Sequence, residues 1–480
     1  MNTLLLICHA DQTRQWEHEL AARLRAMDCR LGIEFVRESG RKRPLLDRVL
    51  AFERRKLGVS SASLTGSLVG EAIDDADLVI DLTGNTERRT IVPVLTISIA
   101  GTTQLEEGLQ RLRTMPGAPD IVARLDGKPI ALARPMLSDK VWLSRDCNEV
   151  LAACQSLIVL CVKRHAAGRL QAIEEPAITR PARPFIIDYG MQLLSGLAGR
   201  ALRKFKPGAR PFYWQTGYRL IDGPGVAETL KLDGTPFKLL TEGGDRFYAD
   251  PFPFEYQGRL YLFVEDYPYS TGKGVISVAL LLPDGTFTQP QPVLEEPHHL
   301  SYPNVFEHDG SIFMIPESGS ANEVVLYRAD VFPNRWVRDT VLLADRCFND
   351  ATVLQRDGRF WMFGTERFGR GSASDTLMVY SATDLRGPWQ PHPLNPILID
   401  RAGARPGGHF VQSDRMTFLP VQDGTLKYGG GLGLREVIRL DDEDVLLGPV
   451  RSVQPGDAWH GTGIHTLTRS GRLEIIDSTP

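Results

Sequence analysis

The chain has 480 residues, 42% hydrophobic and 24% charged, which excludes a disordered, collagen-like or coiled-coil protein. At roughly 150 residues per domain the length predicts two or three domains. Lys plus Arg is 55 and Asp plus Glu is 59, a formal charge of −4, so no global pull toward nucleic acid is expected.

No apolar run reaches the ~18 residues that a membrane span needs, so no transmembrane segment is predicted. The start, MNTLLLICHADQ, lacks a basic n-region and a small-x-small cleavage site, so no signal peptide is read. The cysteines are Cys8, Cys29, Cys147, Cys154, Cys161 and Cys347, with no CxxC or Cys/His zinc spacing. Cys147, Cys154 and Cys161 repeat every seven residues in one apolar stretch. On a helix such neighbours stand about 10 Å apart, beyond disulfide reach, and form a buried stripe. A reduced, cytoplasmic protein is the expectation.

In chain order, Thr3–Cys8 reads as a buried-type strand, Gln12–Met27 as a helix and Leu31–Val36 as a strand. Asp77–Leu82 and Val92–Ile99 are strands that end at Gly84 and Gly101. Ser144 caps a helix running through Lys163. Strands alternating with helices over residues 1–170 predict a Rossmann-like α/β domain with a largely parallel sheet. Residues 171–210 read as a proline-punctuated linker around a short amphipathic helix, Tyr189–Phe205. Its basic residues fit either an interdomain strut or a segment that touches anionic membrane or phosphate.

Residues 211–480 read as all-β and contain a repeat of strand, tight turn, strand. The segments are 249–266, 301–318, 349–366, 406–423 and 461–477, with turns at Gly258, Gly310, Gly358, Arg415 and Gly471. The turn spacings of 52, 48, 57 and 56 residues suit four-stranded blades, so a five-bladed β-propeller is predicted.

In each hairpin the start of the first strand and the end of the second share one end. Asp250, Tyr302 and Asp350 stand eight residues before their turn glycines. Glu265, Glu317 and Glu366 follow by seven or eight residues, and Gln422 holds the equivalent place in the fourth segment. The repeat therefore predicts that these groups crowd one face around the central axis. His298, His299, His409, His460 and His465 are expected on the same rim, beside Phe252, Tyr267, Tyr269, Tyr302 and Trp459. Flat apolar faces beside carboxylates suit sugar rings, and paired carboxylates are the equipment of glycosyl transfer. Asp250 is expected to be base or nucleophile, Glu317 the acid and Asp350 the orienting group. Glu265, Tyr302, Glu366, His299, His409, Gln422 and His465 are expected to bind substrate. No metal site is predicted, although axial carboxylates suit a calcium or a water equally. No cofactor is assigned.

ADPFPF (249–254) followed by NDA (349–351) resembles the five-bladed propellers of glycoside hydrolase family 43. That resemblance implies a base or nucleophile at Asp250 and an acid-tuning role at Asp350. The family's general acid, a Glu opening blade four, has no counterpart in ARPGGHFVQSD. HLSYPNVFEHDGSIFMIPES, LYRADVFPNRW, GPWQPHPLNP and ARPGG look like the N-terminal propeller domain of plant glucosamine inositolphosphorylceramide transferases. Residues 77–165 are similar to the formyltransferase fold, but ISIAGTT lacks that family's Asn and His, which implies an altered relative.

Together these features predict a carbohydrate-active enzyme of intracellular glycan or glycolipid biosynthesis, with a carbohydrate or glycolipid substrate. Two rivals stand beside it. One is a glycosyl- or acyl-transferase whose N-terminal domain carries a sugar nucleotide or acyl donor. The other is a non-catalytic glycan-binding module. A serine-triad hydrolase is not expected, because no GxSxG elbow is present.

Overall fold

The computed structural model describes residues 2–10, 13–36, 44–66, 68–84, 91–115, 117–138, 141–176, 184–205, 213–413 and 416–479. They form two compact units. The first is Met1–Ala209 with Phe368–Ser372 and Leu398–Asp400, and the second holds the rest of the chain.

The first unit has a mixed sheet flanked by helices. Its strands run, in order, Cys29–Val36, Asn2–His9, Leu78–Asp81, Val94–Ile99, Ile121–Leu125, Lys128–Arg134 and Leu398–Asp400. The first four are mutually parallel, and the next two form an antiparallel hairpin. Parallel strands covered on both faces read as unbroken apolar runs, which is why LLLIC and LVID were legible. Helix Leu143–Ala166 is buried along most of its length and carries Cys147, Cys154 and Cys161 in the core. Burial pushes these three thiols upward, so they are inert packing groups. All six cysteines are free. Two helices, Pro44–Leu57 and Leu105–Arg111, were not foreseen. In the first, Leu46, Val49 and Leu50 bury, and the charged FERRK run masks their periodicity. The amphipathic helix starts earlier than expected, at Phe185. Linker prolines Pro181, Pro207 and Pro211 and the fourth turn at Arg415 lie outside the described residues. Among the described residues, no helix is long and apolar enough to cross a membrane.

The second unit is mostly β. Its described residues hold five antiparallel sheets in succession, a propeller-like arrangement. The innermost strands are Arg246–Tyr256, Ser301–His308, Phe348–Arg356, Val411–Ser413 and Thr466–Ser470. The turns Gln257-Gly258, Asp309-Gly310 and Asp357-Gly358 have both residues at positive φ, the backbone twist that a two-residue hairpin requires. The fifth sheet is completed by the unit's own first strand. Gln215–Leu220 pairs with Leu473–Ser478, Gln215 opposite Ser478. This closure joins the two ends of the unit in one sheet. It was missed because QTGYRL lies outside the repeat.

A common backbone device marks all five inner strands. Asp250 (φ 46°), Tyr302 (φ 46°), Asp350 (φ 52°) and Gly463 (φ 111°) stand eight residues before their turns, and Gly408 (φ 136°) stands seven before its own. In the first three sheets the ladder also slips register near these residues. A bulge of this kind re-aims one side chain out of the strand's alternation. At Gly408 a Cβ would stand 2.0 Å from the Leu467 carbonyl oxygen, a backbone atom that cannot swing away. Gly408→Ala is therefore expected to lower stability by about 3 kcal/mol or more, read as a drop in the urea midpoint.

Candidate active site

The bulges turn Asp250, Tyr302 and Asp350 inward at the same end of their sheets, where all three are buried. Asp tolerates left-handed backbone, whereas Tyr rarely does. Tyr302 is held there by its hydroxyl, 2.8 Å from Thr352 Oγ1 and accepting from the Gly408 N–H at 2.7 Å. Its own N–H donates to Asp250 Oδ2 at 3.2 Å.

Asp250 is the hub. Its Oδ1 accepts from the Thr466 hydroxyl at 3.1 Å and lies 3.4 Å from His465 Nε2. His465 Nδ1 is 2.6 Å from Asp477 Oδ1, and Asp477 Oδ2 accepts from the Asp250 N–H at 2.8 Å. Trp214 stacks on the His465 ring at 4.0 Å and 14°. The result is an Asp477–His465–Asp250 chain, buried throughout. Burial alone would lower the imidazole, but the carboxylates of Asp477 and Asp250 outweigh it and hold His465 above its ordinary range. Burial pushes Asp250 to about 7, against the pull of His465, with Asp477 and Asp350 adding to the rise. One donor atom from each member of the chain lies within 4.8 Å of the other two, a set that suits a cation. Asp477, however, already accepts from Asp250 N–H and Thr466 N–H and pairs with His465, so the set is spent internally.

Asp350 is clamped by Arg405, with Nε at 2.6 Å and Nη2 at 3.1 Å, and by Gln422 Nε2 at 2.9 Å. A bidentate guanidinium pairs with both carboxylate oxygens and fixes their plane. Glu265 has the opposite surroundings. Burial, then the nearby charges of Asp250 and Glu317, push it well above the usual carboxylate range. Its nearest basic group is His299, whose Nε2 lies 3.4 Å from Oε1. His299 Nδ1 accepts the Gly274 N–H at 2.9 Å, so the neutral ring carries its proton toward Glu265. Burial lowers His299 below its ordinary range.

Several expectations change. Glu317, expected as the acid, accepts from the Ser301 hydroxyl at 2.9 Å and the Gly319 N–H at 2.6 Å. The carboxyl that burial raises is instead Glu265. Glu366 is bound to Arg346 at 3.0 Å and the Tyr380 hydroxyl at 3.1 Å. His409 packs edge-on against Phe252 at 4.6 Å and lines a pocket of about 320 Å³ with Gln412, Thr468 and the turn residue Gly471. It belongs to the turn end of the sheets. Gln422 orients Asp350. Phe252 and Tyr302 are core residues, and Trp459 is tied to Ser478 Oγ at 3.0 Å, so of the expected aromatic rim only Tyr267 and Tyr269 keep partial exposure. His460 is exposed and His298 half-buried.

Four residues were missed. Asp477 ends the fifth hairpin, the place Glu265 and Glu317 hold in theirs, so its signal was present in LEIID. Arg405 stood in ARPGG without a visible partner. Trp214 precedes the repeat, and Tyr428, whose ring lies under the Arg405 guanidinium at 5.3 Å, sits in a loop. Neither of these two left a pattern to read.

Successive antiparallel sheets whose bulged inner strands gather buried carboxylates define a propeller-type domain with a polar centre. Residues 241–473 match the family described as "Glucosamine inositolphosphorylceramide transferase 1, N-terminal", so the resemblance carried by the strings above holds over this segment. The chain is 36% identical over 269 residues to glucosamine inositolphosphorylceramide transferase 1 of Oryza sativa subsp. indica, covering 52% of this chain and 35% of that protein. To the protein of the same name from Arabidopsis thaliana it is 33% identical over 202 residues, covering 41% of this chain and 26% of that protein. The chain thus spans about a third or less of the length of these relatives. Among solved structures it is similar to a thermostable family-43 glycoside hydrolase, at 17% identity and TM-score 0.35, covering 44% of this chain and 77% of that one. It is also similar to Zg3597, a family 117 glycoside hydrolase of Zobellia galactanivorans, at 14% identity and TM-score 0.36, covering 51% and 77%. Scores of this size add nothing to the strand order already described.

Proposed function

We propose that the propeller-like unit, read as a five-bladed β-propeller, binds a carbohydrate in a glycan or glycolipid and performs acid/base chemistry at a glycosidic bond. The observation that carries this reading is the contrast between neighbours. Burial pushes Asp250 to about 7 and Glu265 well above the usual carboxylate range, while Asp350 is clamped by the Arg405 guanidinium at 2.6 Å. Two carboxyl groups in different protonation states are what glycosidic chemistry needs. Asp250 is the base or nucleophile, reset by the His465–Asp477 pair. Glu265 protonates the leaving oxygen. Asp350 and Glu317 bind substrate hydroxyls, and His299 holds the Glu265 carboxyl in place.

The name of the relatives favours a second reading, transfer to a glycolipid acceptor. In that case the first unit, residues 1–170, Rossmann-like and formyltransferase-like in sequence, carries a sugar nucleotide. The test is a screen of aryl glycosides and sugar nucleotides against wild type and Asp250→Asn. Cleavage of an aryl glycoside that the variant loses supports hydrolytic chemistry. Sugar-nucleotide binding that survives the substitution without cleavage moves the donor to the first unit and supports transfer. No binding of any sugar sinks both readings.

A further inference from the structure

The helix Phe185–Phe205 exposes most of its apolar residues. The side that meets its own unit buries Tyr189, packs Phe185 and Leu193 on the core, and is otherwise held by polar contacts. The Tyr189 hydroxyl donates to Glu53 at 3.0 Å, and Gln192 exchanges hydrogen bonds with Arg113 at 3.1 and 2.7 Å. Asp188 is buried, and Gly196 lies so close to Val141 that a Cβ would meet it at 2.6 Å. The apolar side faces out, with Ile187 51%, Leu194 71% and Leu202 71% exposed, joined by Ile186, Met191 and Leu197. At about 100° per residue these side chains, with exposed Ala198 and Ala201 and half-buried Gly190, fill a continuous arc of about 160°. No charged residue interrupts the arc through Leu202. A helix that stabilises only its own domain buries its apolar stripe. A contiguous exposed one marks a docking face.

The sequence supplies the complementary charge. Residues 200–210, RALRKFKPGAR, carry five basic groups and no acid. A wide apolar arc followed by a basic cluster matches the boundary of an anionic bilayer, where the arc sinks among the acyl chains and the cations meet lipid phosphates. A second copy of the chain fits less well. Its seam would be the narrower one of a coiled coil, and it would bring the same positive cluster. We propose that this helix seats the protein on an anionic membrane surface. The proposal stands on the first unit and does not need the carbohydrate reading of the second.

The full chain would be tested by flotation with vesicles of phosphatidylcholine alone and of phosphatidylcholine with phosphatidylserine. Wild type is expected to float with the anionic vesicles and to be released by raised salt. Ile187→Glu with Leu194→Glu, both at exposed positions, abolishes flotation. Arg200→Ser with Arg203→Ser and Lys204→Ser lowers affinity for the anionic vesicles about a hundredfold and erases the difference between the two vesicle types. Matching far-ultraviolet circular dichroism of all variants keeps the comparison clean. Wild type that floats with neither vesicle overturns the proposal. So does a solution dimer, seen by light scattering and broken by Leu194→Glu, without vesicle binding. Turnover of a soluble aryl glycoside needs no bilayer, so the two proposals fail separately.

Discussion

Replacing Asp250 by asparagine is expected to cut turnover by about 10²–10⁴-fold while the protein stays folded. Asparagine preserves the shape but cannot take a proton or form a glycosyl bond. Three groups now aimed at the carboxylate, the Tyr302 N–H, the Thr466 hydroxyl and His465 Nε2, would remain around it. The wild-type rate has a predicted pH signature. Asp250 works ionised and is pushed to about 7, so the rate should fall as pH drops through that value. Glu265 must be protonated and is raised well above its ordinary range, so the alkaline limb should lie well above the usual carboxylate range. Stability moves in the opposite sense. A buried acid with a raised value binds its proton more tightly in the folded chain, so its contribution is full below the ordinary 3.8 and is lost as pH rises through about 7. A rate independent of pH between 5 and 8 in wild type, in a screen at roughly the usual side-chain titration range, would remove Asp250 from the chemistry.

Arg405→Ala is expected to cost about 3–5 kcal/mol, because it strands the Asp350 charge in a site from which water is excluded. The two side chains are 11% and 2% exposed, and Arg405 supplies two of the three side-chain hydrogen bonds to Asp350. The check is the urea midpoint of the variant. Adding Asp350→Asn should recover part of the loss, since the neutral amide no longer needs a counter-charge. A midpoint shift worth less than about 0.5 kcal/mol would mean that the pair is solvated like a surface ion pair.

What was legible in the sequence is what repeats. The tight turns and the apolar strands beside them recur, so the sheet succession and the shared end of Asp250, Asp350 and Glu265 followed from counting. What was not legible depends on contacts across the ring. Closure by Gln215–Leu220 joins residues more than 250 positions apart. The clamp on Asp350 joins positions 350, 405 and 422, and nothing in ARPGG points at its partner. The surroundings of the acids were hidden for the same reason. Glu265 and Glu317 occupy equivalent strand ends, and only their contacts, Ser301 and Gly319 donors at Glu317 and His299 at Glu265, tell them apart. His409 was misplaced because a residue in a loop before a strand gives no hint of which end of the ring its side chain enters.

The most direct measurement is a crystal structure of the Asp250→Asn variant soaked with the best-binding sugar from the screen. The account predicts a sugar ring at the Asp250 end of the inner strands, with hydroxyls on Asp350 and Glu317 and the glycosidic oxygen within hydrogen-bond distance of Glu265. A sugar found instead at the turn-end pocket beside His409, or in the first unit with the carboxylate cluster empty, would contradict it.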